Sequence, residues 1–284
     1  MKAQGYALID SGLGRKLERF GDYIIDRPCA QAIWKPTLPK ASWQKAHAIF
    51  KRLTEKSGKW VYHKPLPENW SIDVAHFRMK ISPTPFGHLG IFPEQVESWQ
   101  WLGKRVSEIK TEQARVLNLF AYSGGSTLAC AKSGAQTCHL DASRPMVSWD
   151  KENAQLSSLK DESVIWMIDD VGKFLQREIR RGRQYEGVIL DPPSFGRGPK
   201  KEIFKIENEL VNMLRNCRKL LSANADFVLL SCHTPGITAL VLRHMLGQAL
   251  EGLGGTFQAG EMTCKGEKGV LELPSGVYCR WQKN

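Results

Sequence analysis

The chain has 284 residues, 42 % of them hydrophobic, and 40 Lys/Arg against 29 Asp/Glu for a formal charge of +11. That composition supports a globular core and favours polyanionic partners such as nucleic acid or an acidic membrane surface. Seven scattered cysteines, with no CxxC and no Cys/His zinc spacing, argue against a disulfide framework and a metal site. No stretch approaches the ~20 apolar residues of a membrane span, and "MKAQGYALIDSG" lacks a signal-peptide run, so a cytoplasmic protein without membrane attachment is expected.

Residues 1–85 read as a small strand-rich domain. "GYALIDSG" and "GDYIIDRP" are short strands separated by glycine turns. "SWQKAHAIFKRLTEKSG" has the pattern of one amphipathic helix with a glycine stop. "ISPTPFGHLGIFPEQ", dense in proline and glycine, reads as a joint between two domains. Residues 1–110 hold 18 of the basic residues against 10 acidic ones, together with Trp34, Trp43, Trp60, Trp70, Trp99 and Trp101. Basic and aromatic residues mixed in this way suit RNA, whose bases stack on rings, although most of these tryptophans are expected to fill a small core.

A helical pattern follows from Glu94 to about Lys110, with Val96, Trp99, Leu102 and Val106 recurring on one face. From Val116 strands and helices alternate. "VLNLFA", "QTCHLDA", "VIWMID", "YEGVILD" and "DFVLLSC" read as five strands. Helices are expected from about Ser126, over Met146–Leu156, Lys173–Arg181, Glu202–Leu221 and Ile237–Leu250. Strand-like runs around Phe257 and Tyr278 close the chain. Such alternation implies an α/β fold with a mostly parallel, Rossmann-like sheet of seven strands, occupying residues 86–284.

Ligands of such sheets bind beyond the carboxyl ends of the strands. The first strand runs into "FAYSGGSTLA", where Gly124 and Gly125 let the chain turn tightly and approach a ligand at a helix N-terminus. This is not the spaced G-x-G-x-x-G of nicotinamide enzymes. The second strand ends on Asp141, roughly 20 positions later, suited to the two hydroxyls of a ribose. The third ends in Asp169 and Asp170. Here Asp170 is expected to accept from an adenine amino group and Asp169 to cap the next helix. The fourth ends in "LDPPSFGRG". Prolines 192 and 193 hold that loop extended, with Asp191, Phe195 and the cations Arg197, Lys200 and Lys201 around them.

On these motifs residues 116–284 resemble a class I S-adenosylmethionine-dependent methyltransferase. "NLFAYSGG", "HLDAS", "DD" and "LDPPSFGRG" follow the pattern of the bacterial large-subunit rRNA methyltransferases, a group with a cytosine-C5 and a guanine-N7 enzyme. "YALIDSGLGRKLERFGDYIIDRP", "QAIW" and "GHLGIFPEQ" are similar to a related family with a small β-rich N-terminal domain. The resemblance implies S-adenosylmethionine as cofactor and RNA, in particular rRNA, as partner. It places the cofactor against Phe120, Ala121, Tyr122, Ser123, Gly124 and Gly125, against Asp141, Ala142 and Ser143, and against Asp169, Asp170, Asp191 and Pro192. Phe195 would stack beside a flipped-out base, and Arg197, Lys200 and Lys201 would meet phosphates. N6-adenine enzymes place the aromatic directly after Pro-Pro, whereas Ser194 intervenes here.

"LLSCHTPG" follows the fifth strand. The cytosine-C5 enzymes carry a cysteine at this strand end, and Cys232 matches it. A thiolate adding to C6 turns the ring into an enamine that attacks the methyl group. Guanine N7 has its own lone pair and needs no thiol. The other reading of Cys232 is a buried core thiol, and of His233 a structural histidine instead of a base. Rival functions are a protein or small-molecule methyltransferase and a noncatalytic RNA-binding protein that keeps the fold. The sequence leaves the oligomeric state open, a homodimer included.

Overall fold

The computed structural model describes residues 5–54, 57–197, 203–266 and 269–284. Two units are distinct: Met1–Val96 with Thr263–Ser275, and Glu97–Met262 with Gly276–Asn284.

In the first unit, β1 (Tyr6–Gly12), β2 (Arg15–Phe20) and β3 (Tyr23–Pro28) form an antiparallel meander. Its turns are tight because Gly14 and Gly21 sit at φ 75° and 63°. A single turn of helix, α1 (Lys40–Trp43), precedes β4 (Ala48–Arg52) and β5 (Gly58–Tyr62), and the sheet order is β1-β2-β3-β4-β5. A separate hairpin joins β6 (Trp70–Val74) and β7 (Phe77–Ile81).

The amphipathic helix expected over residues 42–58 is therefore a strand pair. Ala46, Ala48 and Phe50 are buried at a spacing of two, which is the period of a strand. The edge of β3 accepts β4 in parallel, and β5 pairs with its other side. Pairing with a partner distant in sequence overrides local helix propensity. The indole N–H groups of Trp34, Trp60 and Trp70 donate to Ser11 O, Thr84 O and Phe20 O, and Trp43 donates to Asp10 Oδ2. These rings are structural parts of the unit.

The second unit opens within α2 (Val96–Glu108), which buries Trp99, Leu102 and Val106 as its spacing predicts. Then come β8 (Arg115–Leu119), α3 (Gly125–Lys132), β9 (Gln136–Asp141), α4 (Arg144–Leu156), β10 (Val164–Ile168), α5 (Val171–Arg180) and β11 (Gly187–Leu190). A small hairpin of β12 (Phe195–Arg197) and β13 (Ile203–Lys205) leads into α6 (Ile206–Leu220). The chain closes with β14 (Phe227–Cys232), α7 (Ala239–Ala249), β15 (Thr256–Cys264) and β16 (Leu273–Gln282). The sheet is ordered β10-β9-β8-β11-β14-β16-β15. Its first five strands run parallel and β16 pairs antiparallel to β14. Every residue of β11 and β14 is buried, as in a sheet covered on both faces. The strand order reverses between β8 and β11, which puts the ligand crevice at their carboxyl ends.

Candidate active site

Beyond β8 the backbone zigzags. Phe120, Tyr122 and Gly124 have φ of 56°, 49° and 89°. A left-handed non-glycine residue costs about 1–3 kcal/mol and persists only where its surroundings impose it. The imposing bonds are Ala121 N to Leu140 O (3.1 Å), Tyr122 N to Asp141 Oδ2 (2.9 Å) and Asn153 Nδ2 to Ser123 O (2.8 Å). Strain of this kind gathers at ligand clamps.

The glycine pair has a further cause besides the tight turn read in the sequence. A Cβ on Gly124 would fall on the Asp150 carboxylate, and a Cβ on Gly125 would fall on the indole of Trp99. Both glycines leave room for side chains packed under the turn, and Gly124 also needs its positive φ. Asp150 belongs to a polar chain buried beneath the loop. Its Oδ2 lies 2.7 Å from His139 Nδ1 and 3.3 Å from Trp166 Nε1. Thr127 Oγ1 lies 2.9 Å from His139 Nδ1 and accepts from Asn118 Nδ2 at 2.9 Å. These residues join β8, α3, β9, α4 and β10. Sequence reasoning missed them; the only signal was a polar residue inside each of two apolar runs, "LNLF" and "CHLD".

Asp141 ends β9 with both oxygens in use: Oδ2 accepts from Tyr122 N, and Oδ1 from Ser143 N at 2.8 Å. Each oxygen keeps a second lone-pair site for a ribose hydroxyl. Ala142 and Ser143 carry the chain from Asp141 into α4, with Ser143 extended at its N-cap. Of the two acids after β10, the second and not the first is the helix cap. Asp170 caps α5, its Oδ1 accepting from Lys173 N at 2.9 Å. Asp169 bonds Arg177 Nη1 at 2.6 Å and accepts from Asp170 N. The residue directly before the first helical turn alone has the geometry to cap it. Asp169 stands one position closer to the strand end.

Asp191 follows β11, its N–H donating to Leu119 O at 3.4 Å. Pro192 is buried and Phe195 is 46 % exposed. Ser194 Oγ lies 2.8 Å from Thr234 Oγ1, which ties this loop to the end of β14. His233 Nε2 stands 3.8 Å from Asp191 Oδ1. Phe204 packs on Phe120 with ring centroids 5.3 Å apart, so the β12–β13 hairpin meets the β8 loop. Cys232 is 1 % exposed within the apolar core, and its Sγ accepts from Thr234 N at 3.4 Å. Lys200 and Lys201 lie outside the described residues, as does the Arg197 side chain.

The carboxyl ends of β8, β9, β10 and β11 thus bring together the strained 120–124 backbone, Asp141, Asp169 and Asp191. Acceptors for hydroxyl and amino groups beside a clamp-like turn fit S-adenosylmethionine. Among the described residues no three His, Cys, Asp or Glu converge as a metal site requires.

Comparison with known proteins bears on the family and the fold. The family described as S-adenosylmethionine-dependent methyltransferase matches residues 26–246. The solved structure of a SAM-dependent methyltransferase from Agrobacterium tumefaciens superposes with a TM-score of 0.94 and 35 % identity, covering 100 % of this chain and 92 % of that one. SMU.776, solved in complex with SAH, shares the fold with a TM-score of 0.76 at 16 % identity, over 99 % of this chain and 76 % of its own. Among curated proteins, the ribosomal RNA large subunit methyltransferase K/L of Shewanella sp. (strain MR-4) is 29 % identical over 197 residues. That of Aeromonas hydrophila is 26 % identical over 184 residues. The aligned parts cover 67 % and 63 % of this chain and 27 % and 24 % of those relatives, so the chain spans about a quarter of their length.

Proposed function

The chain belongs to the S-adenosylmethionine-dependent methyltransferase family, and from that premise we propose that its methyl acceptor is a base of RNA, ribosomal RNA in particular. The observation that carries the reading is the loop after β11. It sets the Asp191 carboxylate, a rigid Pro-Pro and the half-exposed ring of Phe195 beside the strand ends that hold Asp141 and Asp169. A flat exposed ring next to a hydrogen-bond acceptor suits a base taken out of its stack. The net charge of +11, concentrated in the first 110 residues, favours a polyanion. Relatives named as rRNA methyltransferases support the same reading.

When bound, the cofactor supplies an electrophilic methyl group on a sulfonium. The work left to this chain is positioning. Phe195 stacks on the base. Asp191 accepts from its amino or ring N–H group and sets the attacking atom, and Pro192 and the Ser194–Thr234 bond hold both in place. We infer direct transfer to an atom that already carries a lone pair, as at guanine N7, instead of the covalent route at cytosine C5. A thiolate must reach the base itself, and Cys232 lies in the core with its sulfur bonded to Thr234 N.

Transfer of labelled methyl groups to rRNA, followed by mass mapping of the nucleosides, tests both statements. Wild-type protein is expected to label RNA, Asp191→Ala and Phe195→Ala to lose at least tenfold in turnover, and Cys232→Ala to stay near normal. Label on protein instead of RNA defeats the substrate reading. A dead Cys232→Ala variant, with covalent trapping of the wild type on 5-azacytosine RNA, returns the reaction to C5.

A further inference from the structure

The end of the parallel sheet away from the active site also carries a concentrated charge. Helix α5 stops at Arg180, Arg181 caps it, and Gly182 turns left-handed at φ 63° before Arg183 and Gln184 lead toward β11. Arg115 opens β8 at the same end. Arg115, Arg181, Arg183 and Gln184 line a groove of about 460 Å³, and an adjoining groove of about 350 Å³ adds Gln136, Glu178 and a largely apolar remainder that includes Ile165, Met167 and Phe174.

Glu178 is the one carboxylate on these walls. It is already bonded to Tyr185 Oη at 2.7 Å and to Arg181 Nη1 at 3.3 Å. Arg115 is 3.9 Å from Glu186, and among the described residues no carboxylate lies within ion-pair distance of Arg183. The helix dipole accounts for basic residues in the last turn of α5, Arg177 and Arg180. It does not account for Arg183, which lies past the helix, or for Arg115, which comes from another element. A guanidinium is a planar fork that fits phosphate oxygens, and the amides of Gln136 and Gln184 are further donors.

We propose that this groove is a second binding site, one that takes the phosphodiester backbone of a structured RNA. The inference rests on the RNA reading above and adds to it a contact remote from the target base. Five residues of β8 separate the two ends of the sheet, about 16 Å at a rise of about 3.3 Å per residue. The groove therefore takes neither cofactor nor acceptor base. It anchors a tract of backbone that continues past the sheet while the target base lies at the carboxyl ends.

Fluorescence anisotropy with a labelled structured rRNA fragment tests this over a series of salt concentrations. The proteins are wild type, Arg181→Glu/Arg183→Glu and Arg183→Ala, with SAH affinity by calorimetry as the control for fold and cofactor site. The double variant is expected to bind RNA at least tenfold more weakly with SAH affinity unchanged. Its log–log salt slope should fall by about 1.4–1.8, that is about 0.7–0.9 for each of two lost phosphate contacts. Arg183→Ala should lie between the two. An unchanged affinity and slope in the double variant overturns the groove and leaves the RNA reading standing. A wild type that binds no RNA overturns both. Stoichiometric pyrophosphate binding that the double variant loses, with RNA affinity intact, assigns the groove to free phosphate and overturns the RNA contact.

Discussion

Asp10, fully buried on β1, accepts hydrogen bonds from Ser11 N, Thr37 N, Thr37 Oγ1, Leu38 N and Trp43 Nε1. On β2 the buried Glu18 bonds Arg27 twice, at 2.8 and 2.9 Å, and Lys16 at 3.2 Å. By contrast, β11 in the other unit is Gly-Val-Ile-Leu with every residue buried, and β14 beside it is nearly as apolar. A small sheet buries limited apolar area, and in the first unit charge-assisted bonds hold residues 37–43 to β1 and join β2 to β3. In the second unit apolar packing supplies the stability, which frees the polar residues at the strand ends for ligands. One exception is the His139–Asp150 chain, and it lies directly beneath the strained 120–124 loop.

The hardest test of this contrast is Glu18→Ala. It leaves Arg27 buried without its counter-charge and should cost about 3–5 kcal/mol. Hydrogen exchange read by peptide should show β1–β3 losing protection while β8, β11 and β14 keep theirs. Equal losses in both units would mean that they fold as one and that the distinction has no energetic content.

Gly124→Ala probes the exception. Overpacking against Asp150 and a strained positive φ should together cost about 2–4 kcal/mol. SAH binding should fall below detection because the 120–124 turn opens. Wild-type affinity in this variant would show the turn to be plastic, with no support from the chain below it.

Asp141→Ala should weaken SAH binding by about 1–3 kcal/mol, from the loss of a charged acceptor, with a modest fall in melting temperature because Tyr122 N and Ser143 N lose their acceptor. A large drop in melting temperature at unchanged affinity would class Asp141 with the structural carboxylates of the first unit and remove it from the site.

The mildest test is pH. Burial pushes the Glu18 carboxyl up, but Arg27 and Lys16 outweigh it and leave the group below the usual carboxylate range. Asp10 is likewise held low, burial being outweighed by the hydrogen bonds from Leu38 and Thr37. A depressed folded value stabilises the protein above the unfolded carboxylate range, near 4, and that stability is lost as pH falls through the folded value. Exchange protection in the first unit should therefore decline on acidification below about pH 4 before that of β11 and β14. Simultaneous decline would blur the comparison.

Much of the second unit was legible because its signals are local. Runs such as "VIL" and "FVLLSC" mark buried strands by composition, and an acid at the end of such a run marks a strand's carboxyl end. The helical face of Trp99, Leu102 and Val106 is a matter of spacing alone. Asp141, Asp169, Asp191 and Phe195 accordingly stand out in the sequence. Other features depend on neighbours that are distant in the chain. Residues 48–52 became a strand because β3 and β5 lie on either side of them. The cap of α5 fell to Asp170 through a one-residue placement of the helix start. Cys232 points to chemistry in sequence and to the core in space. The spatial order of the strands and the return of Thr263–Ser275 to the first unit are set by pairing across long chain separations. Gly124 and Gly125 are legible as a turn, but excluded volume acts on both besides the positive φ of Gly124, and only the folded chain brings Asp150 and Trp99 into the space that a Cβ would need.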